Sequence, residues 1–86
     1  MFVRIAGRVQ GVGFRYATAR RARSLQLAGW VANRPDGTVE AVFEGDDRSV
    51  ASMLDWCRRG PRGASVDDVQ VNWAEPGGAG TGFEIR

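Results

Sequence analysis

The first nine residues alternate between apolar and more polar positions, which predicts a half-buried strand over Phe2–Val9. One side of this strand is expected to face the core: Val3, Ile5, Gly7 and Val9. A glycine-rich run from Gln10 to Gly13 ends the alternation, and from Phe14 the apolar positions recur with a helical period. That helix is expected to bury one stripe of side chains: Phe14, Thr18, Ala22 and Leu25.

The middle of the chain predicts a hairpin followed by a second helix. Leu27–Asn33 and Thr38–Glu44 are predicted strands, and the turn-forming sequence Pro35-Asp36-Gly37 lies between them. The next helix is expected to stop before Gly60-Pro61. Its core-facing stripe has the spacing i, i+3, i+4 and i+7: Val50, Met53, Leu54 and Cys57.

The last third predicts a strand over Val66–Glu75, a mobile loop over Pro76–Gly82 and a short strand over Phe83–Ile85. The resulting order is β-α-β-β-α-β with a small final strand. This order is typical of the α+β class, and specifically of the ferredoxin-like split β-α-β sandwich, in which two helices pack on one face of an antiparallel sheet. With 86 residues and no linker, residues 1–86 are expected to form a single domain.

The composition excludes several kinds of catalytic and metal-binding site. The chain has no histidine and one cysteine, Cys57, which excludes a histidine base, a histidine-ligated metal, an internal disulfide and a CxxC motif. All 12 basic residues are arginine, so lysine nucleophiles are excluded as well. No apolar run approaches the roughly 20 residues that span a bilayer, and the N-terminal segment offers no signal-peptide core. A soluble cytoplasmic protein is therefore expected.

Charge is distributed unevenly along the chain. Residues 1–34 carry seven arginines and no acid, whereas residues 35–86 carry five arginines and ten acids, so a net charge of +2 conceals +7 and −5. A basic N-terminal third suits an anionic partner such as nucleic acid, an acidic surface or a phosphorylated small molecule. The alternative is that Arg20, Arg21 and Arg23 simply solvate a helix face.

The segment Gln10–Arg15 lies between a predicted strand and a predicted helix. Its glycines allow backbone N–H groups to turn inward, and a helix N-terminus adds partial positive charge, so the segment suits a phosphate or another anion. Arg15 could add a full charge and a bidentate guanidinium. The alternative is an ordinary glycine turn, since the spacing matches neither a Walker A loop nor GxGxxG.

Asn33 ends a predicted strand just before the hairpin turn. In a split β-α-β fold this hairpin and the first loop can approach each other at one edge of the sheet. An amide can orient a water nucleophile without titrating, although an asparagine before a turn more often satisfies its own backbone.

Other residues favour a structural interpretation. Cys57 lies on the core stripe, which indicates a buried and inert thiol. The three tryptophans are expected to pack in the fold, and the acidic pairs at 46–47 and 67–68 resemble caps and turns more than a metal site.

Two segments together resemble the signatures of the acylphosphatase family: GRVQGVGFR, residues 7–15, and GWVANRPDGTVEAVFEG, residues 29–45. The resemblance continues through GPRGASVDDVQVNW and TGFEIR and covers essentially the whole chain. It implies hydrolysis of acyl phosphates to a carboxylate and inorganic phosphate, without a metal or cofactor.

The resemblance also assigns roles. Arg15 matches the phosphate-binding and catalytic arginine, and Asn33 matches the catalytic asparagine that orients water. Thr38 matches a position where a hydroxyl has a supporting role. The phosphate cradle matches Gln10, Gly11, Val12, Gly13, Phe14 and Arg15.

Two positions depart from the family pattern. Ala32 stands where a basic residue is common, which either weakens phosphate attraction or leaves Arg34 to supply it. Gln26 stands where a helix-ending glycine is usual, which affects the expected geometry of the helix end more than the chemistry.

The resemblance further implies a small-molecule acyl phosphate as substrate, with inorganic phosphate as product and competitive inhibitor. No membrane or nucleic-acid partner is expected, and the small size and short edge strands favour a monomer. Two alternatives stay open. One is a nucleic-acid-binding module, because RRM domains share this fold, although GTVEAVFE lacks their aromatic series. The other is an anion sensor that binds phosphate without catalysis.

Overall fold

The computed structural model of the chain describes residues 1–73 and 80–86. Its two helices are α1, Phe14–Ser24, and α2, Asp47–Arg59. Its five strands, in chain order, are β1 (Phe2–Arg8), β2 (Ala28–Asn33), β3 (Val39–Glu44), β4 (Ser65–Asn72) and β5 (Phe83–Ile85). Each predicted element is present with its type confirmed. Residues 74–79, which contain the end of the predicted fourth strand and most of the predicted loop, lie outside the described residues.

The strands form one sheet in the order β4-β1-β3-β2-β5, and the helices pack on one of its faces. Three pairs are antiparallel, whereas the short β5 pairs parallel to β2, so the sheet is mixed. The predicted ferredoxin-like α+β fold is confirmed. No helix within residues 1–73 and 80–86 is both long and apolar enough to cross a membrane.

The core lies between the sheet and the helices. The alternation predicted for β1 places Val3 and Ile5 at 0% exposure, and the helical stripes are buried or half-buried as expected. Buried Thr18 satisfies its hydroxyl by donating to the Phe14 carbonyl oxygen (2.7 Å). Phe43 and Phe83 stack with their ring centroids 5.5 Å apart, which holds β5 against the core.

Two predictions about which residues are buried are wrong. Gly7 is exposed rather than core-facing, because the register between β1 and β4 shifts at Ala6/Gly7, as in a β-bulge. A Cβ on Gly7 would lie 2.2 Å from the backbone oxygen of Ser65, so the close approach of the two strands requires glycine here. Trp73 is 66% exposed and does not pack in the core, since it follows the end of β4.

Helix α1 ends just before a position where Gln26 replaces the glycine that is usual in the family. Gln26 adopts φ of 58°, in the left-handed region that favours glycine. The Leu27 N–H donates to the Ala22 carbonyl (2.9 Å) and the Gln26 N–H to the Arg23 carbonyl (3.0 Å). This pair of hydrogen bonds is a Schellman motif, so the helix ends in the usual geometry although its left-handed residue carries a side chain.

Replacing Gln26 with glycine is expected to raise the free energy of unfolding by about 0.5–1 kcal/mol. The left-handed conformation costs a side-chain-bearing residue about 1–2 kcal/mol, and the larger freedom of glycine in the unfolded chain offsets part of that relief. Urea denaturation of both proteins measures the difference. Gln26→Ala is the matched control and should give no gain, because alanine retains the Cβ; an equal gain from alanine would contradict this account.

Candidate active site

The loop between β1 and α1 is shaped by two glycines. Gly11 has φ of 74° and Gly13 has φ of 76°, both in the left-handed region. A Cβ on either would meet nothing within 4 Å, so it is backbone conformation rather than crowding that favours glycine at both. Left-handed residues at alternate positions let successive backbone N–H groups face one concavity, which is the geometry of an anion cradle.

Helix α1 begins directly after this loop without a side-chain cap. Gly13 is the N-cap residue, no side chain caps the helix, and no acid lies in its first turn. The Ala17 N–H donates to the Gly13 carbonyl oxygen (3.1 Å). The N–H groups of the residues before Ala17 therefore precede the first hydrogen bond of the helix and have no acceptor within it. These N–H groups and the positive end of the helix dipole favour a negatively charged ligand.

The side chain of Gln10 joins this loop to the β2–β3 hairpin. Its Nε2 donates to the backbone oxygens of Arg34 (2.8 Å) and Thr38 (3.0 Å). The Arg34 N–H also donates to the Thr38 oxygen (2.9 Å), which closes the turn. The predicted approach of loop and hairpin is therefore present, and Asn33, at the end of β2, lies beside the cradle.

Loop, helix start and Asn33 enclose one pocket of about 170 Å³. Its lining residues are Val9, Gly11, Gly13, Phe14, Arg15, Tyr16 and Asn33. The Oδ1 atom of Asn33 is buried and has no hydrogen-bond partner among the described residues. This finding disagrees with the alternative that Asn33 satisfies its own backbone, because a buried amide oxygen without a partner is costly in a folded protein.

Arg15 lies in the first turn of α1 and lines the same pocket. Its Nη1 donates to the backbone oxygen of Arg86 (3.1 Å) in an exposed hydrogen bond. A guanidinium has five N–H donors, so this contact orients the side chain and leaves donors for an anion. The structure thus brings Arg15 and Asn33 together in the lining of one small pocket.

Thr38 takes a different position from the pocket-lining residues. Its hydroxyl donates to Asp36 Oδ1 (2.6 Å), and its backbone N–H donates to the same oxygen (3.0 Å). Both hydrogen bonds lower the pKa of Asp36, and the bond from the hydroxyl makes the larger contribution. Thr38 therefore stabilises the turn that holds Asn33, and its supporting role is structural in this geometry.

Arg34 does not face the pocket. Its Nε donates to Glu40 Oε1, and its guanidinium lies 5.6 Å from the ring centroid of Trp30. Glu40 also accepts from Arg4 (2.8 Å), and only 8% of Glu40 is exposed. These residues lie on the sheet face opposite the helices, so the interpretation of Arg34 as a source of phosphate attraction is wrong.

Ala32 lies on the same opposite face. It pairs in register with Glu40 and is buried at 4% exposure. A basic side chain at this position would extend beside Glu40 rather than into the pocket. The departure from the family pattern at Ala32 therefore changes the far face of the sheet and leaves the pocket lining as it is.

Among the described residues, potential metal ligands do not converge near the pocket. Within the parts of the chain that the structure describes, no group of three or more histidine, cysteine, aspartate or glutamate side chains could hold a metal ion. Cys57 is fully buried, and burial raises the pKa of its thiol to about 12. The thiol is thus protonated and inaccessible, as the core-stripe position predicts.

The sequence and the structure of the chain are similar to those of known proteins. A family model described as Acylphosphatase matches residues 1–85. The chain belongs to the acylphosphatase family. Acylphosphatases of Thermococcus kodakarensis and Trichormus variabilis are 53% and 55% identical to it; the matches cover 96% and 95% of this chain and 90% and 80% of theirs. The crystal structure of acylphosphatase from Bacillus subtilis has a TM-score of 0.95 at 36% identity, covering 99% of this chain and 94% of that one.

The predicted family and the predicted enzyme class, acylphosphatase, are confirmed. Two features of this acylphosphatase pocket were not singled out from the sequence. Tyr16, which is 73% exposed, flanks the pocket next to Arg15, and its position in the first helical turn was the available signal. The donor role of the Gln10 side chain depends on distant carbonyl groups and had no local signal.

Glu40→Gln is expected to make stability depend less on pH. Hydrogen bonds from Arg34 and then Arg4 lower the pKa of Glu40 below its ordinary value of 4.5. The ionised group therefore contributes stability above the unfolded-state pKa, and this contribution is lost as the pH falls through the folded-state pKa. We expect the variant to be less stable by about 1 kcal/mol near pH 7, since both arginines are partly solvated.

Urea denaturation near pH 7 and near pH 3 measures this effect. The difference between Glu40→Gln and the parent protein should shrink at the lower pH. Glu84→Gln is the matched control, because Glu84 forms an exposed ion pair with Arg86 (3.0 Å) and should change stability by less than about 0.5 kcal/mol. A Glu40→Gln difference of the same size at both pH values would contradict the assignment.

Proposed function

We propose that this acylphosphatase hydrolyses the carboxyl–phosphate bond of a small acyl phosphate in the pocket between the glycine loop and Asn33, giving a carboxylate and inorganic phosphate. The observation that carries the proposal is the buried Asn33 Oδ1 atom, which has no partner among the described residues and lies in the wall of a pocket that Arg15 also lines. Such an atom is an acceptor available to a water molecule.

The phosphoryl group is held by charge and by backbone donors. The N–H groups of the loop from Gln10 to Phe14 and the uncapped start of α1 contribute partial positive charge, and the Arg15 guanidinium contributes a full one. Phosphoryl transfer spreads negative charge over the three non-bridging oxygens, and preorganised donors stabilise that charge most in the transition state. The pocket suits this task because most of its donors are part of the backbone and are held in place before the substrate binds.

Asn33 positions the nucleophile. A water that donates one proton to Asn33 Oδ1 has its lone pair free to attack phosphorus in line with the leaving group. The new bond joins the water oxygen to phosphorus, and the bond between phosphorus and the acyl oxygen breaks with its electron pair on the carboxylate. The proton of the attacking water passes to a phosphoryl oxygen, so the products are a carboxylate and inorganic phosphate.

This reaction matches a chain without histidine or lysine. The conjugate acid of the leaving carboxylate has a pKa of about 4, so the group departs without a general acid. The substrate's own phosphate accepts the proton, so no protein base is required. We further propose that residues 1–86 act as a single cytoplasmic domain, as a monomer, and that no metal or cofactor takes part.

Asn33→Ala is expected to lower kcat for an aromatic acyl phosphate by about 100- to 1000-fold, the size of effect seen when one preorganised polar group is removed from a transition state. Steady-state hydrolysis of benzoyl phosphate measures it, with circular dichroism to show that the variant is folded. Asn72→Ala is the matched control, because Asn72 is an exposed asparagine on β4. Wild-type turnover by folded Asn33→Ala would refute the role given to Asn33.

Arg15→Ala is expected to weaken phosphate binding and to lower kcat/KM by a similar factor, because it removes the only full positive charge among the residues lining the 170 Å³ pocket. Inorganic phosphate should inhibit the parent protein competitively and the variant much less. These assays are run after exhaustive chelation with EDTA. Phosphate binding by the parent protein without hydrolysis would favour an anion sensor, and activity that requires added metal would exclude the proposed chemistry.

A further inference from the structure

A second and larger cavity adjoins the pocket described above. It has a volume of about 590 Å³ and is lined by Gly13, Tyr16, Ala17, Arg20 and Arg23. We call it the α1 groove. Gly13 and Tyr16 line both the α1 groove and the 170 Å³ pocket, so the two are contiguous at the start of helix α1. A ligand whose phosphoryl group lies in the pocket can therefore extend into the groove.

The described lining of the groove is positively charged. Among the residues that the structure describes, this lining includes two arginines and no carboxylate, and helix α1 itself carries no acid. No carboxylate of the described residues pairs with Arg20 or Arg23, whereas Arg4, Arg34 and Arg86 on the opposite face all have acidic partners. The charge in the groove is thus left for an external anion.

One of the two arginines is held in place. Arg23 Nη2 donates to the backbone oxygen of Phe83 (2.9 Å), which ties its guanidinium to β5. The Arg20 side chain is exposed, and its guanidinium has no hydrogen-bond partner among the described residues. The groove therefore combines an oriented guanidinium with a free one, while the small side chain of Ala17 lines the space near them.

The spacing of the groove residues sets the size of ligand that fits. Tyr16, Arg20 and Arg23 lie at i, i+4 and i+7 on α1 and share one face of the helix. At 1.5 Å rise per residue, the two arginines lie about 6 Å and about 10 Å along the helix from Tyr16. These distances correspond to the length of a short acyl chain or of one aromatic ring.

From this arrangement we infer that the α1 groove is the acyl-group subsite and that it selects acyl phosphates whose acyl group carries a second anionic group, a carboxylate or a phosphate, at its far end. The inference rests on the proposed function, since it places the phosphoryl group in the pocket. Arg20 and Arg23 are then specificity-determining residues, which bind the distal anion and take no part in the chemical step.

A subsite differs from general attraction by the basic surface in a measurable way. General attraction by the basic surface also favours the more highly charged of two anionic substrates, but it depends on the total charge of the protein, so the loss of any one arginine weakens it similarly. A subsite instead responds to the loss of a groove arginine and is insensitive to the loss of an arginine elsewhere.

The test compares para-carboxybenzoyl phosphate with para-methylbenzoyl phosphate, two substrates of similar shape. Arg20→Gln is expected to lower kcat/KM for the carboxylated substrate by about fivefold and to change it by less than about twofold for the methyl substrate. Each comparison is made between variant and parent on one substrate, so the intrinsic reactivity of the substrate cancels. Arg48→Gln is the matched control, because Arg48 is an exposed helical arginine in the first turn of α2, outside the groove.

A second measurement compares the salt dependence of the parent protein with that of Arg20→Gln. The kcat/KM ratio for carboxylated over methyl substrate should fall more steeply in the parent protein than in Arg20→Gln as potassium chloride is raised, with the effect appearing in KM rather than kcat. Equal losses on both substrates in Arg20→Gln, or equal effects of Arg20→Gln and Arg48→Gln, would overturn the subsite. A parent protein that hydrolyses neither substrate would overturn the proposed function. A parent protein that hydrolyses both substrates without selectivity would overturn the subsite alone.

Discussion

Two hydrogen bonds from one side chain, Gln10, tie the glycine loop to the hairpin that carries Asn33. Its amide reaches across 24 and 28 residues of sequence to the backbone oxygens of Arg34 and Thr38. Those carbonyls belong to the turn that follows Asn33, so the two bonds hold that turn beside the glycine loop. Arg15 and the start of α1 then follow from the loop, since the helix begins directly after it.

The sheet separates the arginines into two groups with different tasks. On the face away from the helices, Arg4 and Arg34 share Glu40, and Arg34 and Arg86 lie against the ring of Trp30. These charges are paired, and they stabilise the sheet and the hairpin. Along α1 and the pocket the arginines have no acidic partner among the described residues, so that surface stays electropositive. One chain with a small net charge thus presents two faces of different electrostatic character.

The local patterns of the sequence predict the fold well, because alternation in β1 and the helical stripe of α2 directly report which side chains are buried. The same patterns also indicate that Gln10–Arg15 and Asn33 are candidate site residues. The direction of Arg34 could not be predicted, since it depends on Glu40, a partner on another strand. The left-handed conformation of Gln26 follows from the hydrogen bonds of a completed helix end, and the exposure of Gly7 follows from a register shift between two strands. The exposure of Gly7 is thus set by a long-range contact, and the direction of Arg34 and the conformation of Gln26 by a strand pairing and a helix end that the hydrophobic pattern does not report.

The missing cap of helix α1 links ligand binding to folding. A serine or aspartate cap satisfies such N–H groups with its own side chain, whereas Gly13 supplies none. Under the function proposed above, phosphate bound at this end acts as the capping group. By mass action the folded state gains RT ln(1 + [L]/Kd) in free energy as the phosphate concentration [L] rises above the dissociation constant Kd. The protein would then be most resistant to unfolding when its cradle is full, and its thermal midpoint would report the concentration of its own reaction product.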